Sequence, residues 1–490
     1  MSLQYFFKPS FARLFLFVAM SSFYGCSESD EAFAPDFQSS EWLSGGDTTV
    51  TPNGRARFDQ PLNNLPTDKK SEFHVGKAFA QQPWIKAPTI TAARDGLGPL
   101  YNARTCLTCH INGGKGFIPQ DADTPLMTTL VRLSVPTSND PQGVQPHPVY
   151  GDQIQTQSTS LAHQMRHAAS NLTHDVPPEA YIHLIWKEHT FTYPDGHQVT
   201  LKQPSLDFRY LGYGPFGDDT MFSVRVAPAI HGMGLIESIA QADIDALADP
   251  NDINQDGISG RVNRVWNEET HTVSEGRFGW KANRPTLAMT VAGALTNDLG
   301  VTNPLFPQQP CTSAQPQCLN SQHGTDEHGT ELSEKNLDLM VQFNRHLAPV
   351  KARNLSNEHV QEGRELFYKI GCQNCHQPSY QTAKLKGKPY LSEQIIWPYS
   401  DFLLHDMGPD LADNRPDFEA TGQEWRTPPL WGVGLRKIVN GSAILLHDGR
   451  ANTIEEAILW HGGEAQKIKL AFTYLNKDQR EKLILFVNSI

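Results

Sequence analysis

Two stretches of this 490-residue chain carry the same reactive pattern. Cys106, Cys109 and His110 lie in "RTCLTCHINGG", and Cys372, Cys375 and His376 lie in "GCQNCHQP", each spaced C-x-x-C-H. Two cysteines three residues apart can clasp a metal, act as a redox dithiol, or form thioethers to haem vinyl groups. The histidine directly after the second cysteine favours the third, because it sets an imidazole under the iron as axial ligand. Tetrahedral zinc would need two more ligands at comparable spacing, and no local pair supplies them. The two copies use four of only seven cysteines. The chain reads as a di-haem c-type cytochrome with two covalently bound haem c groups.

The other cysteines fit an exported chain. "MSLQYFFKPSFARLFLFVAMSSFYGC" has basic Lys8 and Arg13, an apolar run from Leu14 to Met20, then small residues and Cys26. That pattern predicts a signal peptide over residues 1–26, with an apolar core too short to stay as a membrane span. Its end looks like a lipoprotein cleavage site, although Phe23 replaces the usual aliphatic residue. The expectation is a periplasmic protein held to a membrane by a lipid on Cys26 alone; the alternative is an ordinary cleaved leader with a bystander cysteine. Export permits disulfides, and Cys311 and Cys318 are then left to form one. Removing the leader shifts the formal charge from −12 to −14. Such a surface argues against nucleic acid and for a basic electron-donor partner.

Elements must position these groups. Residues 27–65 are polar and rich in Ser, Asp, Asn and Pro, and read as a flexible tether. The motifs lie 266 residues apart, which predicts an N-terminal haem domain over 66–350 and a C-terminal one over 351–490. Between about 127 and 215, "LMTTLVRLSV" and "YIHLIWKEHTFTYPDGHQVTLKQ" mix β-branched and aromatic residues with a Pro-Asp-Gly turn signal, so a β-rich insertion is expected there. Helices are expected in "PTLAMTVAGALTNDLG" and before the second motif. At the C-terminus, Leu483, Phe486, Val487 and Ile490 share one helical face. The expected fold is mainly α, with two cytochrome c-like haem domains and the insertion in the first.

A haem that only transfers electrons has both axial positions filled, whereas one that reacts with peroxide needs an open or displaceable position. In "HDGRANTIEEAILWHGGEA", Thr453 and Glu456 form a capping box and Gly462-Gly463 a stop, which puts His461 in the last turn of a short helix. Met407 in "LLHDMGPDLAD" is a competing ligand, and His461 has the plainer alternative of capping its helix end. "DINQDGISGRVN" starts as a calcium loop does, with Asp252, Asn254, Asp256 and then Gly257, but Asn263 stands where the bidentate glutamate belongs. Calcium is the candidate ion there; a tight Asx turn is the alternative.

"RTPPLWGVGL…LLHDGRANTIEEAI" resembles the C-terminal domain of bacterial di-haem cytochrome c peroxidases. In that family a methionine fourteen residues after the HDG histidine ligates the electron-transfer haem. Fourteen after His447 is His461, so the resemblance implies His376 and His461 as the axial pair, with a lowered potential. "GLGPLYNARTCLTCHINGGKG", "DPNDINQDGISGR", "GRFGWKA", "LLHDMGPDLAD", "EWRTPPLWG" and "LWHGGEA" extend the likeness over roughly residues 70–490, to the narrower di-haem oxidoreductase family, also labelled peroxidase or thiol oxidoreductase. The cysteine count gives the thiol label no support.

"RFGWKANRPTLAMTVAGALTNDLG" is similar to the peroxidase segment that holds a tryptophan between the haems and a glutamine and glutamate in the distal pocket. The likeness implies Trp280 as the bridge, Thr290 in the glutamine's place and Asp298 as the acid that shuttles a peroxide proton. His231, Met233 and Glu237 are further candidates near the first iron, each with an ordinary core or surface role as its alternative. The implied function is reduction of hydrogen peroxide at the N-terminal haem. Electrons would come from a small donor of cytochrome c or cupredoxin type through the C-terminal haem. Oxidation of a partner protein and plain electron carriage are the rival expectations.

Overall fold

The computed structural model describes residues 34–52, 57–136, 144–160, 176–322, 324 and 329–490. The leader and Cys26 lie outside them. The helices that matter below are α1 (Thr67–Gln81), α2 (Cys106–Cys109), α3 (Leu287–Leu299), α4 (Glu334–Arg345), α5 (Glu358–Lys369), α6 (Ile454–Trp460) and α7 (Lys477–Val487).

Two helix pairs bracket the two cysteine motifs. α1 crosses α4 at Gly76, where a Cβ would lie 2.1 Å from the Leu339 carbonyl oxygen. Phe73 and Phe343 then pack 5.2 Å apart beside the crossing. α5 crosses α7 at Gly363 in the same way, with a Cβ only 2.0 Å from the Lys482 carbonyl, and Phe367 meets Phe486 at 5.4 Å. Only glycine lets the backbones approach this closely. Asn357 caps α5 by accepting from His359 and Val360, and Asn476 with Gln479 forms a capping box on α7. The predicted apolar face of α7 is buried: Leu483, Phe486, Val487 and Ile490 are all interior.

The fold is not mainly α, contrary to the expectation from sequence. Helix makes up 30% and strand 19% of the structure, and the described strands form six separate two-stranded antiparallel sheets. The physical reason is twofold. The β-branched and aromatic segments pair more extensively than expected, and 37 glycines and 34 prolines cut the helices short and leave long connections. Strands β1 (Thr129–Ser134) and β4 (Met221–Val226) pair with Val131 opposite Val224, so the β-rich region runs past residue 215. Between them β2 (Ala180–Thr192) and β3 (Gln198–Leu211) form one long hairpin. Its turn is the Pro-Asp-Gly sequence, where Gly196 takes φ +86° and Tyr193 pairs with His197.

The hairpin has two anchorages. Near its base, Ile182 and Leu184 pack with Val131, Tyr150, Val226 and Ile444. Near its tip, Tyr193 and Leu201 join the core of Phe367, Trp460, Phe472 and Phe486. The Tyr193 hydroxyl donates to Glu455 at 2.8 Å, and Arg480 bonds Asp195 at 2.7 Å. The insertion therefore braces the C-terminal helices, a role its composition could not disclose.

Residues 34–52 and 57–65, read from sequence as a tether, are held against the helices. Phe58, Leu62 and Leu65 are buried, and Arg364 of α5 grips the buried Glu41 carboxylate with two hydrogen bonds of 2.8 and 2.9 Å. Interspersed apolar residues and one buried ion pair outweigh the polar composition. Among the described residues no helix is long and apolar enough to cross a membrane. Cys311 and Cys318 are disulfide-bonded, and the four motif cysteines are unbridged.

Candidate haem sites

The second motif opens onto a large cavity. Gly371 at φ +95° ends α5, and the next residues turn Cys372, Cys375 and His376 into the cavity wall. His461, the residue after α6, lines the same space, as does Met407, so the structure brings both rival ligands to one cavity. The Nδ1 of His376 lies 3.0 Å from the Tyr399 carbonyl, and that of His461 2.7 Å from the Ala457 carbonyl. A carbonyl only accepts, so each Nδ1 carries the proton and each Nε2 keeps its lone pair. Burial pushes both imidazoles down, His376 to about 4. Neutral rings tethered through Nδ1 are the form in which histidine binds iron.

The wall fits a large, flat, apolar anion. Phe367, Leu411, Trp425, Leu430, Val433 and Leu445 are among the apolar groups around the cavity. Its charged members are Lys115, Arg426, Arg436 and Lys469, with His405; among the described residues no carboxylate lines it. In a chain with 53 acidic and 41 basic residues that imbalance points to an anionic occupant, and a haem with two propionates has this character. Burial raises the Cys372 thiol to about 12, which disfavours a free reactive thiolate there.

Two features of this wall escape sequence reading. His405 is buried with Nε2 2.7 Å from Asp401 and Nδ1 2.7 Å from Glu464. Burial opposes its charge, yet the Asp401 carboxylate prevails and holds the ring well above its ordinary pKa. His447 stacks on Trp425 at 3.6 Å and 10°. Burial takes His447 to about 4, so it is a neutral plate.

Around the first motif, Thr105 caps the one-turn helix α2 by accepting from Thr108. His110 places Nδ1 2.7 Å from the Pro228 carbonyl, and burial lowers its pKa. Asp298 sits at the C-terminal end of α3, where its main-chain carbonyl accepts from Asn102 at 2.8 Å and Ala103 at 3.1 Å. These bonds tie α3 to the segment entering the motif. Burial raises the Asp298 carboxyl to about 6, against the opposing pull of Gln153 and Arg132. After burial itself, the Asp298 charge is the next cause that raises Cys106 and Cys109.

The partner of Asp298 is Gln153, whose Nε2 donates to Oδ1 at 2.8 Å while its Oε1 accepts from Arg132 at 3.2 Å. This glutamine comes from the β-rich region, 145 positions away in sequence, so no local pattern could reveal it. Thr290 does not face this arrangement as an amide would: its hydroxyl donates to the Thr286 carbonyl of its own helix at 2.8 Å. The other candidates are engaged elsewhere. His231 is buried against Phe58 with Nε2 3.2 Å from the Trp431 carbonyl, Met233 packs against the main core, and Glu237 is paired with Arg345 at 2.6 Å.

Trp280 lines the second cavity and is bonded to the segment that packs on the first motif. Its indole Nε1 donates to the Val226 carbonyl at 2.9 Å. The two following residues meet the first motif: Ala227 packs on Cys109, and Pro228 holds His110. Its ring meanwhile lines the second cavity, and Lys115, five residues past His110, lies 4.9 Å from the ring centroid.

The Asp252–Gly257 loop closes on itself. Asp252 accepts from Gly257 at 3.2 Å, Asn254 from Asp256 at 2.9 Å, and Asp256 from Ile258 at 2.8 Å. Asn263, the twelfth position, is turned into the core, where its amide donates to the Lys281 and Asp417 carbonyls. The loop thus lacks the ligand that completes a calcium site of the twelve-residue type.

A family model described as "Di-haem oxidoreductase, putative peroxidase" matches residues 39–490. The chain belongs to this family of oxidoreductases, whose name implies two haem groups. No curated protein and no solved structure matches it.

Proposed function

Taking membership of the di-haem oxidoreductase family as the premise, we propose that this chain is an exported enzyme that reduces hydrogen peroxide at the haem of His110. It is lipid-anchored through Cys26 in the periplasm and holds both haems by thioethers, to Cys106 and Cys109 and to Cys372 and Cys375. Each haem belongs to its own stretch of chain, 66–350 or 351–490. His376 and His461 would hold the iron of the second haem, which would take electrons from a small donor protein.

The observation that supports this most is the asymmetry between the two sites. The second cavity presents two imidazoles with free Nε2 atoms. At the first motif, His110 is accompanied by a carboxyl near neutrality instead.

Bound haem supplies one-electron redox chemistry at iron. The chain's own groups handle the protons. Ionised Asp298 takes the proton from one peroxide oxygen and returns it to the other as the O–O bond breaks and water leaves. Two electrons and two further protons complete the conversion to two waters. Gln153, fixed at both ends of its amide by Arg132 and Asp298, positions that carboxylate. Trp280 provides a hydrogen-bonded and packed path between the sites.

Electron paramagnetic resonance of the ferric protein, before and after half-reduction and one equivalent of H2O2, tests the reading. One high-spin-capable haem consumed by peroxide is expected. Two low-spin irons indifferent to peroxide in both redox states would leave only an electron carrier.

A further inference from the structure

Among the described residues none of the four cations around the second cavity is ion-paired, and two of them, Lys115 and Arg436, come from segments tied to each other. Lys115 is 1% exposed; its ammonium donates to the Leu446 carbonyl and lies over Trp280. Asp448, the one carboxylate whose charge reaches it, is already bound by Arg450 at 2.7 Å. Arg436 lines the same cavity and, among the described residues, has no side-chain hydrogen bond or ion pair. After burial, the Arg436 charge is the largest cause that lowers the pKa of the Lys115 ammonium. Arg426 spends two of its donors on the Gly279 and Thr427 carbonyls at 2.8 and 3.0 Å.

Cations gathered on the wall of one cavity are unfavourable unless an anion comes between them. The backbone nonetheless holds Lys115 and Arg436 together. Asn440, at the end of the short helix Arg436–Asn440, donates to the Lys115 carbonyl, and Asn112 donates to the Val439 carbonyl at 2.7 Å. The loop leaving the first motif and the helix carrying Arg436 are thus stitched into one unit facing the cavity.

We propose that Lys115 and Arg436 form a clamp for a propionate of the second haem, and that this propionate fixes the Lys115 ammonium over Trp280. The clamp rests on the reading of this cavity as a haem site. Through it the second haem is gripped by a residue from the first motif's own loop, so the occupant of one site orders the bridge to the other.

The test uses holoprotein carrying Lys115→Met, Lys115→Arg or Arg436→Gln. Thioethers retain haem without the clamp, so two haems per chain by pyridine haemochrome are expected in each. The readout is the midpoint potential of the low-spin haem followed from about pH 5 to 8, where an unclamped propionate would titrate. Loss of either cation stabilises the ferric state, so Lys115→Met and Arg436→Gln should lower the potential and steepen its pH dependence, while Lys115→Arg should match wild type. Arg436 has no internal partner to lose, so Arg436→Gln stays informative if Lys115→Met fails to fold. Wild-type potentials at every pH in the neutral variants would overturn the clamp. Fewer than two haems in the wild type would overturn the haem reading beneath it.

Discussion

Replacing Asp298 by asparagine separates chemistry from structure in one variant. Asparagine keeps the Oδ1 that accepts from Gln153 and leaves the main-chain bonds to Asn102 and Ala103 intact, so the pocket should hold its shape. What goes is the ionisable group, with a pKa near 6. A base of that pKa is ionised about 90% at pH 7 and about 10% at pH 5, so the wild-type rate with H2O2 should fall about tenfold between them. In Asp298→Asn the rate should drop by about 10²- to 10⁴-fold, the usual contribution of a positioned acid–base group, and lose its pH dependence. Stability should move the other way. The folded pKa lies above the ordinary value of 3.8, so this group stabilises the fold fully below about pH 4 and loses that contribution as pH rises through 6. The variant, free of a buried charge, should be more stable than wild type at pH 8 by at most about 3 kcal/mol. Stopped-flow mixing of half-reduced protein with H2O2, beside urea unfolding at pH 5 and pH 8, measures both. A variant within threefold of the wild-type rate, or slow only because it is less stable, would refute the role given to Asp298.

Three other sites give independent expectations. His461→Met should raise the second haem's midpoint potential while keeping it low-spin, because a thioether favours ferrous iron more than imidazole does; an unchanged potential in spectroelectrochemistry would return His461 to a helix-capping role. Trp280→Phe removes the bond to Val226 and should slow oxidation of the second haem after peroxide is added to half-reduced protein, at constant haem content; equal transient rates would exclude it as the bridge. His405→Gln leaves Asp401 and Glu464 without their shared cation and should cost about 3–5 kcal/mol. Because the folded pKa of His405 is raised, that stabilisation is complete below its ordinary value near 6.5 and is lost as pH rises through the folded one. The gap from wild type in urea titrations should therefore be wide at pH 6 and narrower at strongly alkaline pH, and a constant gap would contradict the ion pairing.

How much of this was legible in the sequence follows from the range over which each signal acts. The Cys-x-x-Cys-His spacings, the Pro-Asp-Gly hairpin turn, the cap at Thr453 and the apolar stripe of α7 are local, governed by bonds and torsions within a few residues, and each can be read in line. The ionic partners are not local. Gln153 reaches Asp298 from 145 positions away, and Asp401, His405 and Glu464 converge from two separate segments. The proportion of helix was misjudged for a related reason. Strand pairing is a contact between segments, and β1 finds its partner β4 only after the whole hairpin has been laid down between them.

By itself the sequence determined the chemistry that resides in side-chain types at fixed short spacing: two haem-attachment motifs, one left-over cysteine pair, and the candidate acid, bridge and ligand. Tertiary structure alone decided which of these meet. It put His376, His461 and Met407 around one cavity, gave that cavity cations with no carboxylate among the described residues, and set Trp280 on its wall, bonded to the segment that packs on the first motif. It also bound the hairpin tip to the helices that support His461. Burial, charge pairing and approach within a few ångströms arise only when distant segments pack, because the desolvation that shifts a pKa and the contacts that orient a ring belong to the folded neighbourhood rather than to the residue.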